Sequence, residues 1–242
     1  MSRPTIVLVH GAWADASSWN PVITELQSQG FDVLAPTNLL RGVETDAAYV
    51  ASFLAQRTNG PVVLVGHSYG GVVITNAGAA GGDVRALVYV DAFVPDEGET
   101  VFQILGGSGS AFDVPDPTAV FDIAGYPAGP EGDAEAFLKR STVFDSFAQD
   151  LSEADRGLIL AGQRPITLSA NTAPTTATAW KTIPSWAVVG LADKVIPAST
   201  QRRMAERAGA TISEVDGSHV SMLSHPQVTI DAILAAVAAV GD

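Results

Sequence analysis

The sequence predicts an α/β domain with a mostly parallel sheet of about six strands and helices on both faces. Short apolar runs rich in β-branched residues alternate with stretches whose apolar residues recur at helical spacing, and this alternation favours βαβ units. The strand-like runs are nearly continuous in apolar residues, which is typical of a sheet covered on both faces. The chain of 242 residues is long enough to bury one such core.

The expected strands and helices alternate along most of the chain. The strand-like runs lie at residues 5–9, 31–35, 62–65, 84–90, 185–189 and 211–215. Helices are expected from a cap at Ser17–Ser18 to near Gly30, from an opening at Thr45–Asp46, from Pro197 through Met204, and over about 226–240. In the second helix the residues expected to face the core are Tyr49, Val50, Phe53 and Leu54.

Residues 95–181 interrupt this alternation. The segment is rich in Gly and Pro, with short helical pieces expected at 133–140 and 145–151. A structureless loop of this length is implausible in a compact domain. We therefore interpret it as a small, mostly helical cap inserted into a core formed by residues 1–94 and 182–242.

The composition excludes several classes of function. The chain has no cysteine, which rules out disulfides, thiolate metal sites and a cysteine nucleophile. Its net charge of −13 disfavours nucleic acid and anionic membrane surfaces as partners. No apolar run approaches the length of a membrane span, and the start of the chain does not read as a secretory signal. A cytoplasmic location is therefore expected.

A serine between glycines follows the third strand-like run. In the stretch GHSYG, Ser68 stands between Gly66 and Gly70, where an apolar strand is expected to turn into a helix. In this context the G-x-S-x-G pattern is typical of a nucleophile elbow. The turn exposes the hydroxyl above the sheet and points a helix N-terminus at it, which favours negative charge there. We therefore predict that Ser68 is a catalytic nucleophile.

A serine nucleophile needs a base, and the sequence offers four histidines. His219 is favoured because it lies in a loop after a predicted strand, and such loops meet at the carboxyl edge of a parallel sheet. His225, at a helix start, is the weaker alternative. His10 and His67 are expected to have mainly structural roles.

The base in turn needs a carboxylate to orient it. Asp193 follows the preceding strand and gives the chain order Ser68, Asp193, His219 that goes with such an elbow. Asp91, at the end of the fourth strand-like run, is the alternative acid, since it could reach the histidine from a neighbouring strand end. Asp216 is expected to be a solvated loop carboxylate.

Attack on a carbonyl also needs an oxyanion hole, two backbone N–H donors aimed at the developing negative charge. Tyr69, the residue after the nucleophile, is expected to provide one of them. The loop HGAW after the first strand is expected to provide the other from Ala12, with His10 and Trp13 holding the loop.

Together these stretches resemble the α/β-hydrolase superfamily, and more closely its small branch of plant-type methylesterases and hydroxynitrile lyases with their bacterial esterase relatives. The matching segments are VLVHGAWADASSW, VVLVGHSYGGVVI, VYVDAFVPDEG, GLADKVIP and GSHVSMLSHPQ, within about 1–95 and 182–242. The resemblance implies an α/β-hydrolase fold. It also implies a triad of Ser68, Asp193 and His219 and the oxyanion donors Ala12 and Tyr69, which are the residues that the chemistry above already favoured.

Two differences from the lyases of this branch argue against a lyase activity for this chain. Those lyases carry a lysine directly after the catalytic histidine, where this chain has Val220. They also carry a threonine after the histidine of the first motif, where this chain has Gly11. Both differences favour hydrolysis.

We therefore expect hydrolysis of a small to medium uncharged carboxylic ester or lactone through an acyl-enzyme, with no cofactor and no metal. The alternatives are a hydroxynitrile or carbon–carbon lyase, a cofactor-free perhydrolase and a non-catalytic ligand receptor. Since members of the branch often dimerise, a homodimer is a further expectation, although no motif specifies it.

Overall fold

The computed structural model describes residues 3–127 and 129–241, and its centre is a six-stranded parallel sheet. In chain order the strands of these residues are β1 (Thr5–Val9), β2 (Val33–Leu34), β3 (Pro61–His67), β4 (Asp83–Val90), β5 (Phe121–Ala124), β6 (Glu135–Leu138), β7 (Ile166–Thr167), β8 (Ser185–Gly190) and β9 (Thr211–Val215). The central sheet has the order β2-β1-β3-β4-β8-β9, with each pair parallel. The predicted α/β class and strand number are confirmed.

Helices connect these strands and cover the sheet. They are α1 (Asn20–Ser28), α2 (Val43–Arg57), α3 (Tyr69–Ala77), α4 (Val101–Leu105), α5 (Arg140–Thr142), α6 (Glu153–Gly162), α7 (Leu168–Thr172), α8 (Ala198–Arg207), α9 (Ser221–Ser224) and α10 (Pro226–Gly241). The four helices expected in the core correspond to α1, α2, α8 and α10.

Two local expectations in the first helices were wrong. The predicted cap at Ser17–Ser18 is a 3₁₀ turn over Ala16–Trp19, and the residue that caps it is Asp15, whose side chain accepts the Ser17 N–H. In α2, Tyr49 is 39% exposed, whereas Val50 and Leu54 are buried. At 100° per residue, Tyr49 points about 100° away from the nearest residue of the helix face that these two residues share with Val43 and Ala47, which turns it toward solvent.

A second, antiparallel sheet of β5, β6 and β7 lies in the segment between β4 and β8. The helical piece expected at 133–140 was wrong, because residues 135–138 form β6, with Ala136 and Leu138 buried in alternation. The piece at 145–151 is in part a π-helical turn over Val143–Phe147, and the longer α6, capped by Ser152, was not anticipated. The cap, as we call residues 95–181, therefore contains a small sheet besides its helices.

The central sheet brings five loops to one edge. Because β1, β3, β4, β8 and β9 are parallel, the residues that follow them meet at the carboxyl ends of the strands. These residues include Ala12, Ser68, Asp91, Asp193 and His219. In the described part of the chain, no helix combines the length and apolarity that a membrane crossing requires.

Candidate active site

Ser68 lies at the sharp turn between β3 and α3. Its backbone has φ 53° and ψ −123°, a conformation that non-glycine residues adopt rarely. The turn packs tightly against β1, since a Cβ added at Gly70 would lie 2.4 Å from the carbonyl oxygen of Val9. A side chain at position 70 would therefore push the turn away from the sheet.

Ser68, His219 and Asp193 form one chain of hydrogen bonds. The Ser68 Oγ lies 2.8 Å from His219 Nε2, and His219 Nδ1 lies 2.7 Å from Asp193 Oδ2. The three side chains come from the loops after β3, β9 and β8, and all three are buried. The structure thus brings together the three residues that the sequence favoured as nucleophile, base and acid.

The bonds around Asp193 fix the direction of this chain. Its carboxylate accepts the N–H groups of Val195 and Ile196 at 2.7 and 3.0 Å and the side-chain amide of Gln201 at 2.7 Å. A carboxylate with these donors is an acceptor for His219 Nδ1–H, which leaves Nε2 as the acceptor for the Ser68 hydroxyl. This tautomer is the one that can remove a proton from serine.

Burial sets the charge state of this site. It lowers the pKa of His219 to about 3, because the imidazolium loses its hydration. The imidazole is therefore neutral at neutral pH and free to act as a base. Burial also raises the pKa of Asp193 well above that of a free aspartate, while its three donors favour the ionised form.

Asp91, the alternative acid, is buried near Asp193 but makes no hydrogen bond with His219 among the described residues. Its Oδ2 accepts the N–H of Ser221 at 3.0 Å, and its Oδ1 has no partner in the same residues. Burial and the negative charge of Asp193 raise its pKa. Asp193 accepts hydrogen bonds from Val195, Ile196 and Gln201 in addition to His219, whereas Asp91 accepts one. The negative charge is therefore better stabilised on Asp193. Asp91 also has a positive φ of 45°.

The other histidines lie apart from the Ser68 hydroxyl. His67 is fully buried below the elbow, with its Nε2 2.7 Å from the carbonyl oxygen of His219. His225 contacts Ser224 at an exposed position. His10 accepts the N–H of Asn38 at Nε2. None of the three hydrogen-bonds to the serine.

The loop after β1 approaches Ser68 closely. A Cβ added at Gly11 would lie 2.6 Å from Ser68 Cβ. His10 Nδ1 lies 2.8 Å from the Gly11 carbonyl oxygen and donates to it, because its other nitrogen accepts from Asn38. In a trans peptide the N–H points opposite to the C=O, so this bond turns the Ala12 N–H away from His10.

Ala12 and Tyr69, the expected oxyanion donors, both line the cavity at Ser68. Tyr69 is the first residue of α3, where an N–H has no acceptor within the helix. The side chain of Tyr69 is held by α2, since its hydroxyl donates to Asp46 Oδ2 at 2.9 Å. Within the described residues neither N–H has a hydrogen-bond acceptor.

Two residues of this arrangement were missed from the sequence. Asn38 fixes His10, donating its side-chain amide to the His10 carbonyl at 2.9 Å. Asp46 holds Tyr69 and also accepts the N–H of Arg41. Both act over long separations along the chain, so no short motif could have indicated them.

Trp13 connects the loop after β1 to the cap. Its backbone N–H donates to the carbonyl of Arg164 at 2.8 Å, and its indole Nε1–H donates to the carbonyl of Ala136 at 2.8 Å. The ring stacks on Phe121 and meets Phe112 edge-on. Its φ is +58°. Trp13 thus fixes the loop after β1 to the cap through both its backbone and its side chain.

A cavity of about 260 Å³ opens between the site and the cap. Its walls are mostly aromatic and aliphatic, and among the lining residues of the described chain the one formal charge is that of the exposed Asp113. The lining residues that the cap contributes include Val101, Phe102, Leu105, Phe112, Phe121, Ile166, Leu168 and Asn171. Such a space suits a small, uncharged, largely apolar molecule.

Fold and sequence together define the class of protein. The sequence profile of the alpha/beta hydrolase family matches residues 6–232, so the chain belongs to that family. The predicted α/β-hydrolase fold is confirmed, and so is the resemblance to its methylesterase-like branch at the level of the fold.

Individual relatives fall in the same class. The chain is 37% identical over 111 residues to a carbendazim hydrolyzing esterase of Nocardioides sp. (strain SG-4G), covering 41% of this chain and 46% of that protein. It is 24% identical over 251 residues, 95% of both chains, to an alpha/beta hydrolase of Aspergillus novofumigatus. Among solved structures, polyneuridine aldehyde esterase matches with a TM-score of 0.80 at 22% identity over 97% of this chain and 99% of that chain.

Proposed function

We propose that the protein is a serine hydrolase that cleaves a small to medium uncharged carboxylic ester or lactone through an acyl-enzyme. The observation that carries the proposal is the buried hydrogen-bond chain from Ser68 through His219 to Asp193, opening on an apolar cavity. This is the arrangement that nucleophilic acyl transfer requires. The hydrolase and esterase relatives are consistent with it.

The mechanism follows from the assigned roles. His219 Nε2 takes the proton of Ser68 as Oγ bonds to the ester carbonyl carbon, and the C=O electron pair becomes an oxyanion held by the N–H groups of Ala12 and Tyr69. The oxyanion collapses, the C–O bond to the alcohol breaks, and His219 protonates the leaving oxygen. Water then attacks the acyl-enzyme by the same route and releases the acid.

The lining of the cavity supports an uncharged substrate. An aryl or alkyl ester fits walls of phenylalanine, leucine and valine. A carboxylate in the substrate would find no lysine or arginine among the described lining residues and would lie near Asp113. Burial of an unpaired charge is costly, so the substrate is uncharged.

The lyase alternative is disfavoured by the space at Gly11. A Cβ at this position would lie 2.6 Å from Ser68 Cβ and 2.9 Å from His67 Nδ1. The lyases of the branch that this chain resembles carry a threonine at the position of Gly11, and this side chain does not fit the backbone without a shift of the elbow. Val220, where such lyases have lysine, is buried and uncharged. Ligand reception without turnover is an outcome that the experiment below separates from hydrolysis, whereas perhydrolysis shares the acyl-enzyme and is distinguished by adding hydrogen peroxide to the same assay.

The test is a series of 4-nitrophenyl esters from acetate to octanoate, measured by rapid mixing with the wild type and with Ser68→Ala. We expect a burst of nitrophenol in the wild type and its loss in the variant, with turnover reduced about 10³-fold or more. The decline of kcat/KM with acyl length will size the cavity. A wild type without turnover on the whole series, or a Ser68→Ala variant of equal activity, would contradict the proposal.

Two further expectations stay predictions beside this one. A cytoplasmic location and a homodimer follow from the sequence and its resemblance. Cell fractionation and light scattering of the purified protein test them directly.

A further inference from the structure

One polar side chain in the cavity has no role in the chemistry proposed above. Asn171, in α7, lines the cavity and is only 9% exposed. Its Nδ2 donates to the carbonyl oxygen of Thr167 at 3.1 Å. That bond fixes which way the amide faces, since a carbonyl oxygen can only accept and must be met by the NH₂ group.

The orientation leaves the Asn171 Oδ1 as a free acceptor. Among the described residues it receives no hydrogen bond, and it is not sealed off from solvent. The side chain lines the cavity, so a ligand that covered this oxygen without donating a hydrogen bond would leave an unpaired acceptor, which is costly. The partner has to come from the contents of the cavity.

The other polar side chains of the cavity are already engaged or exposed. The Tyr69 hydroxyl donates to Asp46, the Trp13 indole donates to Ala136, and Ser68 is bonded to His219. Asp113 is exposed and accepts the N–H of Gly107. Asn171 is therefore the buried, uncommitted polar side chain of the described lining.

We infer that Asn171 is a specificity-determining residue that accepts a hydrogen bond from a hydroxyl or N–H group on the apolar part of the substrate. This inference rests on the proposed ester hydrolysis and narrows its substrate class to uncharged esters that carry a neutral hydrogen-bond donor. A neutral donor fits better than an ammonium group, because the one formal charge of the described lining, that of Asp113, is exposed, and water would screen it from a cation held beside Asn171.

The physical basis is an exchange with water. In the free protein a water molecule can satisfy Oδ1, and a ligand with a donor replaces that bond when it displaces the water. A ligand with a methyl group in the same place displaces the water and leaves Oδ1 unpaired. Sites built to hydrogen-bond a substrate group discriminate strongly against analogues that lack it.

The test compares substrates that differ only in the donor. 4-Nitrophenyl benzoates and phenylacetates with a hydroxymethyl group at the meta or para position are each paired with the ethyl analogue, which has nearly the same shape. The ratio of kcat/KM within each pair is measured for the wild type, Asn171→Leu and Asn171→Asp. Asn171→Leu removes the acceptor, whereas Asn171→Asp in a buried wall keeps an acceptor in its place.

For at least one pair we expect the hydroxymethyl-to-ethyl ratio of the wild type to exceed that of Asn171→Leu by about 10- to 100-fold. Asn171→Asp should keep most of the preference, which separates loss of the acceptor from loss of the bond to Thr167. Ratios that agree within about twofold between wild type and Asn171→Leu for every pair would overturn the inference, given the size of the effect expected.

Binding measured without turnover distinguishes this inference from the proposed function. Calorimetric titration of Ser68→Ala, with and without Asn171→Leu, gives the same hydroxymethyl-to-ethyl comparison on intact esters. Absence of hydrolysis in the wild type together with a donor preference that depends on Asn171 would overturn the proposed function alone. Equal affinities in both backgrounds, or no binding of any pair, would overturn the role of Asn171.

Discussion

At the scale of single residues, the site depends on the protonation state of His219. The imidazole is fully buried, and burial lowers its pKa below the usual 6.5. Only the neutral form can take the Ser68 proton. Its neighbours His67 and Asp193 are buried with it, and burial of His67 lowers that pKa as well.

The pH dependence of kcat/KM tests this environment. Protonation of His219 abolishes the base, so activity rises as pH increases through the pKa and is full above it. Because the pKa is lowered, we expect the midpoint of the acid limb below pH 6.5. Circular dichroism at each pH serves as the control for unfolding. A midpoint at or above 6.5 in a folded protein would show that the charge of Asp193 outweighs burial in setting the pKa of His219.

At the scale of elements, the cap and the loop after β1 meet through Trp13. Its two hydrogen bonds to Arg164 and Ala136 and its contacts with Phe112 and Phe121 fix the peptide next to Ala12. Since Ala12 is a proposed oxyanion donor, a change in the cap would alter the geometry of the donor as well as the shape of the cavity.

We predict that Trp13→Phe, which removes the indole bond but keeps an aromatic ring, lowers kcat about 3- to 10-fold with a smaller change in KM. Trp180→Phe is the matched control, because its indole donates to the carbonyl of Pro95 at 2.9 Å, outside the cavity lining. Steady-state kinetics on one nitrophenyl ester measure both. Equal effects of the two substitutions would argue against a positioning role for Trp13.

The elements also show what could be predicted from the sequence. β1, the elbow at Ser68 and the loop of His219 were predictable because each depends on a short stretch whose pattern is local. β6 was not, since a strand of four residues is specified by pairing with β5 and β7 rather than by its own sequence. The contact of Asp46 with Tyr69 spans 23 positions, and no motif encodes it.

At the scale of the whole molecule, the net charge of −13 surrounds a cavity whose rim carries Asp113. A field of this sign repels anions at long range and leaves neutral molecules unaffected. Added salt screens it, because the Debye length falls from about 10 Å at 0.1 M to about 3 Å at 1 M. The charge of the molecule thus acts in the same direction as the preference for uncharged substrates that we propose for the cavity.

A matched pair of substrates measures this contribution. We expect kcat/KM for 4-nitrophenyl pentanoate to be nearly independent of salt, and that for the anionic 4-nitrophenyl hemiglutarate to be lower and to rise severalfold between low and high ionic strength. Asp113→Asn is the control. It should raise kcat/KM for the anionic substrate and not for the neutral one, and it should leave the long-range salt effect in place. A hemiglutarate rate that falls with salt would indicate a basic binding group instead.

Backbone conformation at the site has a consequence for directed evolution. Of the four non-glycine residues with positive φ in the described chain, Trp13, Ser68 and Asp91 all belong to the surroundings of the serine. Such residues cost the fold energy that relaxed residues do not. A selection for heat tolerance that ignores turnover would therefore accept glycine in place of Ser68, where a positive φ costs glycine least, and its products would be more stable proteins that lack the nucleophile.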